Sequence, residues 1–341
     1  MPTLSALLLM SALSASAGAA QTIDLPLPQT PQQHVALHCI APQRPNGEAV
    51  LFVHGASFPT MLAFGFEFAP GDSWMAFMAA RGYLACGLDF LGFGASSRPP
   101  AMAQPADADA PVTRAPEAAQ QIALAVAWLR AQRHARAVHV VAHSWGTVPA
   151  ATFAAEHPRA LASLTLFGPI VPTTDADPPT HKAWWSITAE TRYQQLRFTD
   201  VLPHDLVLLE PSLAGRWARE FAATVPHVAG DAPDSLRIPA GPAADIATVQ
   251  HGAYPYAASA VSAPVFVVYG DYDTVVNDAG AIAFLAKFTA SPLKWRLRID
   301  HGTHVMHLER NRHALYESVD AFIRTVDAAA QSAPAQPARA P

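Results

Sequence analysis

The chain has 341 residues, of which 51% are hydrophobic and only 14% charged, and its net charge is −5. That length can bury a large core, as one big domain or a domain with an insertion. The sparse, slightly acidic charge excludes a basic surface for nucleic acid and a polybasic membrane patch.

Residues 1–20 are apolar and small, with Leu4, Leu7, Leu8, Leu9 and Met10 followed by serine and alanine up to Ala17-Gly18-Ala19. This is the pattern of an export signal with an A-x-A-type end, although no Lys or Arg precedes it, and it predicts a periplasmic or secreted protein rather than a cytoplasmic one. The run is too short to span a bilayer, so no stable membrane insertion is expected. Residues 22 to 34 read as a proline-rich linker, and His34 to Ile40 as an early edge strand. Ala49 to Val53 is a continuous apolar run, the mark of a strand buried on both faces, and it stops at His54-Gly55-Ala56-Ser57. Ser73 to Arg81 has helical periodicity and Tyr83 to Leu88 is the next strand. The glycine-punctuated loop Asp89 to Ser96 follows, then a surface loop over 99–116 and an amphipathic helix from Glu117 to Ala135. The 2 cysteines, Cys39 and Cys86, both fall in predicted strands. Neither lies in a C-x-x-C or beside metal-spaced histidines, so no zinc site is expected there. Buried free thiols are the default, with a single disulfide as the alternative in an exported chain.

The most informative stretch is Val138 to Thr147. A valine-rich strand stops at Ser144, and a helix from Val148 to His157 begins directly after. A serine on so tight a strand-to-helix turn sits in a strained backbone region, so the residues two before and two after must be small. They are Ala142 and Gly146. The turn also aims the first N–H groups of the helix at whatever lies over the hydroxyl.

Leu161 to Phe167 is another short strand, and the strand–helix alternation implies a parallel sheet with helices on both faces. Between residues 171 and 263 the alternation stops. This stretch is helical in pieces and rich in Trp184, Trp185, Tyr193, Phe198, Trp217, Phe221, Tyr254 and Tyr256, and it reads as a helical lid over the sheet. Alternation resumes with strand Pro264 to Tyr269, helix Gly280 to Phe288, strand Leu293 to Ile299 and a last helix Glu309 to Val326. Core residues are therefore expected over 21–170 and 264–326, with a disordered tail over 327–341.

In an open parallel sheet, ligands bind beyond the carboxyl ends of the strands. Four such ends carry useful groups: His54-Gly55-Ala56, Ser144, Asp273 and His304. A serine hydroxyl needs a base to take its proton, and a histidine base needs a carboxylate to fix its tautomer. The chain supplies them in the order Ser, Asp, His.

With these pieces the chain resembles the α/β-hydrolase superfamily over nearly all of residues 35 to 326. The matching motifs are Leu51-Phe52-Val53-His54-Gly55, the loop Asp89 to Ser96, the elbow Ala142-His143-Ser144-Trp145-Gly146, the turn Gly270-Asp271-Tyr272-Asp273, and His304 to Glu309. The resemblance implies an eight-stranded, mostly parallel sheet with a cap after the sixth strand. It implies Ser144 as nucleophile, His304 as base, Asp273 as acid, and the backbone N–H groups of Ala56 and Trp145 as oxyanion donors. Asp271 is the rival acid, and His301 and His307 are the rival bases. His143, His54 and Asp89 are expected to be structural. The implied reaction is acyl transfer on a small to medium, mainly apolar or aromatic carboxylic ester, with amide, lactone and C–C hydrolysis or low-turnover ligand binding as alternatives. The chemistry needs no metal or organic cofactor.

Overall fold

The computed structural model describes residues 20–332, so the leader and the end of the tail lie outside the described residues. The strands are β1 (Gln21–Pro26), β2 (His34–Ile40), β3 (Glu48–Val53), β4 (Leu84–Asp89), β5 (Ala137–His143), β6 (Ser163–Phe167), β7 (Trp184–Thr188), β8 (Ser235–Pro239), β9 (Val265–Gly270) and β10 (Lys294–Ile299). The helices are α1 (Thr60–Ala63), α2 (Trp74–Ala80), α3 (Ala115–Arg133), α4 (Thr147–Glu156), α5 (Ala189–Leu196), α6 (Ala214–Ala223), α7 (Gly241–Gln250), α8 (Asp278–Ala286) and α9 (Arg312–Ser332). Eight strands form one sheet in the order β1-β2-β4-β3-β5-β6-β9-β10. From β4 to β10 every neighbouring pair is parallel, and β1 and β2 add an antiparallel end.

Every residue of β3 and β9 is buried. Helices cover both faces there, which is why these strands are continuous apolar runs rather than alternating ones. Strand β10 is an edge strand, and it leaves Lys294, Arg296 and Arg298 exposed. Among the described residues, no helix is long and apolar enough to cross a membrane.

Several sequence expectations are corrected. Part of the proposed linker is strand β1, which pairs with β2 from Gln21↔Cys39 to Pro26↔His34, so β2 is not the edge. An outermost strand tolerates Pro26 because its outer side has no ladder to complete. Cys39 and Cys86 are not free thiols but a disulfide. They sit directly opposite each other because β2 pairs with β4 rather than with its sequence neighbour β3. The last helix starts at Arg312 rather than Glu309 and runs to Ser332, so residues 327–332 are helical rather than disordered tail.

The stretch between β6 and β9 is not wholly helical. Strands β7 and β8 form an antiparallel pair, with α5 and α6 between them. Tyr193, Trp217 and Phe221 are buried there and pack on one another, with centroids 5.8 and 5.2 Å apart. Trp217 also meets Phe58, in the loop after β3, edge to face at 5.4 Å. These aromatics therefore form the inner packing of the segment. Helix α7 is different, because it docks on the sheet domain through Asp245. The buried Asp245 carboxylate accepts hydrogen bonds from the Arg114 side chain and the Ala115 N–H, each at 2.6 Å, and from the Trp145 indole at 3.1 Å.

Candidate active site

Ser144 follows the last residue of β5 and opens a 3-10 turn, Ser144–Gly146, that runs into α4. Its φ is +56°, left-handed for a residue with a side chain. Such a backbone costs about 1–3 kcal/mol and persists only where the surroundings over-determine it. Here they do. Ala142 is fully buried, and a methyl group at Gly146 would lie 2.4 Å from the His54 carbonyl oxygen. The two small residues thus let the start of α4 close onto the end of β3.

The Ser144 Oγ lies 2.8 Å from His304 Nε2. On the other side of the ring, His304 Nδ1 is 3.1 Å from each carboxylate oxygen of Asp273. Asp273 is fixed in turn. Its Oδ1 accepts the N–H groups of Val275 at 2.8 Å and Val276 at 3.3 Å, and its side chain is wholly buried. A carboxylate on Nδ1 makes that nitrogen the donor and leaves the Nε2 lone pair facing the serine hydroxyl. The sequence-derived Ser144, His304 and Asp273 are therefore brought together.

The rivals are placed elsewhere. Asp271 accepts the Gly302 N–H at 3.0 Å, so it ties down the histidine loop rather than its own turn. His301 is exposed, with a φ of +57°. His307 is fully buried among Phe58, Phe64, Phe167 and His143, and neither of its ring nitrogens has a hydrogen-bond partner among the described residues. Burial, reinforced by His304 nearby, pushes His307 down to about 3, so it is neutral at ordinary pH. His143 stacks on Phe167 and donates from Nε2 to the His304 carbonyl at 2.7 Å. Burial first, and the other histidines second, hold His143 well below the usual imidazole range.

The supporting loops behave as expected of structural groups. The ring of His54 donates from Nδ1 to the Gly55 carbonyl at 2.8 Å and accepts the Phe90 N–H at Nε2, 3.2 Å away. Asp89 accepts the N–H groups of Thr60 and Ala95 at 2.8 and 3.0 Å and pairs with His38 at 2.8 Å. Ala56 follows Gly55, whose Cα lies so near the elbow that a methyl there would sit 3.1 Å from the Ser144 Cβ. Trp145 is in the first turn after the strand, where N–H groups have no helical carbonyl behind them.

Three residues that sequence reasoning missed complete the site. Gly168, at the end of β6, has a φ of +54°, and a methyl on it would lie 2.9 Å from His304 Nδ1 and 3.0 Å from Asp273 Oδ2. Only glycine leaves room for the pair. Glu309 is buried and accepts the Thr303 N–H at 3.0 Å and the Thr303 hydroxyl at 2.5 Å, one residue before His304. Its burial pushes its carboxyl up to about 7, against the pull of those two bonds. Asp245, described above, joins α7 to the Trp145 ring. The only sequence signals for them were a strand-closing glycine and a glutamate next to the histidine motif.

Comparison with known proteins places the fold. The model of the alpha/beta hydrolase fold family matches residues 48–311. No curated protein matches the sequence. Among solved structures, the chain is similar to the thioesterase domain from the curacin biosynthetic pathway, at 17% identity and a TM-score of 0.59, covering 89% of this chain and 99% of that one. It is also similar to CarC, a serine hydrolase involved in carbazole degradation, at 15% identity and a TM-score of 0.58, covering 90% and 100%. A thermophilic esterase from Thermogutta terrifontis aligns at 16% identity and a TM-score of 0.56, covering 90% and 99%. With more than half its length matched by the family model and the elbow, acid turn and histidine loop gathered at one end of the sheet, the chain belongs to the α/β-hydrolase fold family.

Proposed function

We propose that the protein is a serine hydrolase that cleaves small to medium, mainly apolar or aromatic carboxylic esters through an acyl-enzyme on Ser144. The observation that carries this reading is the relay of the Ser144 hydroxyl, the His304 ring and the Asp273 carboxylate at 2.8 and 3.1 Å. The family membership and the thioesterase and esterase among the similar structures support an acyl-transfer reaction.

The geometry gives each group a step. As the Ser144 oxygen attacks the ester carbonyl carbon, its proton moves to His304 Nε2. Asp273 stabilises the imidazolium that forms and holds the ring in line. The backbone N–H groups of Ala56 and Trp145 take the negative charge that develops on the carbonyl oxygen. His304 then returns its proton to the leaving alkoxide as the carbon–oxygen bond breaks. In the second half, His304 takes a proton from water, which attacks the acyl carbon, and returns it to the Ser144 oxygen. The stretch over 171–263 would act as a lid. Ser144 is only 8% exposed, which fits a nucleophile reached beneath a cover.

Export is part of the same reading. The apolar leader and the Cys39–Cys86 bridge support it, since such bridges persist in oxidising compartments. N-terminal sequencing of the protein recovered outside the cytoplasm tests it. A chain retained inside cells with its leader uncleaved would contradict it.

The decisive experiment for the reaction joins fluorophosphonate labelling with p-nitrophenyl esters of graded chain length. Labelling at Ser144 and turnover that vanishes in Ser144→Ala are expected. Turnover that survives in that variant refutes the nucleophile, and a single stoichiometric release without turnover points to a ligand-binding protein.

A further inference from the structure

At the end of the sheet opposite Ser144, three side chains with metal-binding atoms converge. Glu48 opens β3, His139 lies near the start of β5, and Asp327 projects from the last part of α9. One ligand atom from each lies within 4.8 Å of the others. The His139 Nε2 is 3.4 Å from Asp327 Oδ1 and 3.8 Å from Glu48 Oε2. The imidazole has no exposed surface, and the two carboxylates are 9% and 16% exposed.

The imidazole is the telling group. Its Nδ1 is engaged by the Ser163 hydroxyl at 2.8 Å. Its Nε2 has no hydrogen-bond partner among the described residues, although it is buried and aimed at two carboxylate oxygens. Buried polar atoms are ordinarily satisfied, and at 3.4 and 3.8 Å the two carboxylate oxygens stand too far from Nε2 for a good hydrogen bond but leave room for a cation between them. Around an ion with bonds of about 2.0–2.1 Å, tetrahedral ligands are about 3.4 Å apart; the His139–Asp327 pair is at that spacing and Glu48, at 3.8 Å, has only a small distance to close.

We propose that His139 Nε2, Glu48 Oε2 and Asp327 Oδ1 form a binding site for a divalent transition-metal ion, with zinc the best fit and water as the fourth ligand. One imidazole and two carboxylates form a nitrogen–oxygen donor set that zinc accepts. Ser163 then orients the ligating ring through Nδ1, the usual arrangement behind a metal-bound histidine. Arg136 does not compete for the same atom. It pairs at 3.1 Å with the other Glu48 oxygen, Oε1, and at 2.7 Å with the Asn46 carbonyl, which fixes the carboxylate's orientation. The ion would clamp the end of α9 to the starts of β3 and β5. His139, near the start of β5, is five positions before Ser144, just past its end, about 16 Å at strand rise, so the ion acts on stability rather than on the reaction.

The test uses the untagged full-length protein, stripped with chelator and titrated with zinc by calorimetry. One equivalent is expected to bind, and Tm is expected to rise by about 5 °C at a zinc concentration a hundredfold above Kd. Asp327→Asn and His139→Gln are each expected to weaken binding at least tenfold, while Ser144→Ala leaves it unchanged. Failure of the unaltered protein to bind one equivalent overturns the site, and so does undiminished affinity in Asp327→Asn. Because His139→Gln alters the core and can fail to fold, cobalt(II) added to the unaltered protein provides a separate reading. Strong visible absorption of a tetrahedral ion supports the site, and its absence at saturating cobalt overturns it.

Discussion

Ser144 and His304 approach to 2.8 Å, yet the loops that carry them are built in different ways. The serine is set by backbone sterics. It holds a left-handed φ between a buried strand and a helix that closes onto the neighbouring strand through Gly146. The histidine is set by polar groups, the exposed Asp271 on Gly302 and the buried Glu309 on Thr303 and His143 on the His304 carbonyl. A steric device does not titrate, whereas a polar one does. Changes of pH are therefore expected to loosen the base before they disturb the nucleophile.

Four substitutions probe that contrast, in falling order of effect. Ser144→Ala removes the nucleophile and should lower kcat/KM by at least about a thousandfold with Tm nearly unchanged. Steady-state kinetics alongside thermal unfolding checks this. Gly168→Ala places a methyl group against His304 and Asp273 while Ser144 is untouched. About a hundredfold loss of kcat is expected, the scale of a 1 Å misplacement, together with continued but slower fluorophosphonate labelling. Labelling and turnover at parental rates would mean that the pair does not need its spacing.

Glu309→Gln tests the polar side of the contrast. The carboxyl is raised in the folded state from 4.5 to about 7, so its contribution to stability is complete below pH 4.5 and is lost as pH rises towards 7. A neutral glutamine does not follow that course. The Tm of the variant relative to the parent should therefore climb between pH 5 and pH 8, by the equivalent of about 2–3 kcal/mol. A relative Tm flat across that range would show that Glu309 does not titrate there.

The smallest effect is expected for His307→Phe. His307 is depressed from 6.5 to about 3, so the unfolded chain takes up a proton that the folded one refuses, and stability is lost as pH falls below 6.5. Phenylalanine removes that loss and matches the aromatic surroundings. The variant should gain Tm relative to the parent at pH 5 and gain little at pH 8. Thermal melts at both values decide it.

The same contrast explains what could be read from the sequence. The elbow was legible because its requirements are local: a strand, a serine between small residues, and a helix within ten positions. The strand ends bearing Asp273 and His304 were legible because strand–helix alternation places them on one edge. Gly168 was not, because its necessity comes from side chains far along the chain that crowd its Cα. The Cys39–Cys86 bridge depends on β2 lying beside β4, a fact of strand order that neither cysteine's neighbours encode. Strand β1 was hidden by Pro26 and by the prolines that follow it, and an outermost strand accommodates the one it contains. Glu309 was assigned to the final helix by periodicity, but its bonds to Thr303 keep it outside, and α9 begins at Arg312.

The outer strand β10 bears on how copies of the protein behave beside one another. Its exposed Lys294, Arg296 and Arg298 recur at every second position along an otherwise open ladder of backbone groups. A strand from another molecule that added to this ladder would have to strip water from three cations lying along its length. Arg296 and Arg298 are also engaged, with the Tyr269 hydroxyl at 2.6 Å and with Asp278 at 3.1 Å, so they cannot simply swing aside. The three cations thereby set a desolvation cost against growth of the parallel sheet on that side, which works against edge-to-edge pairing under crowding.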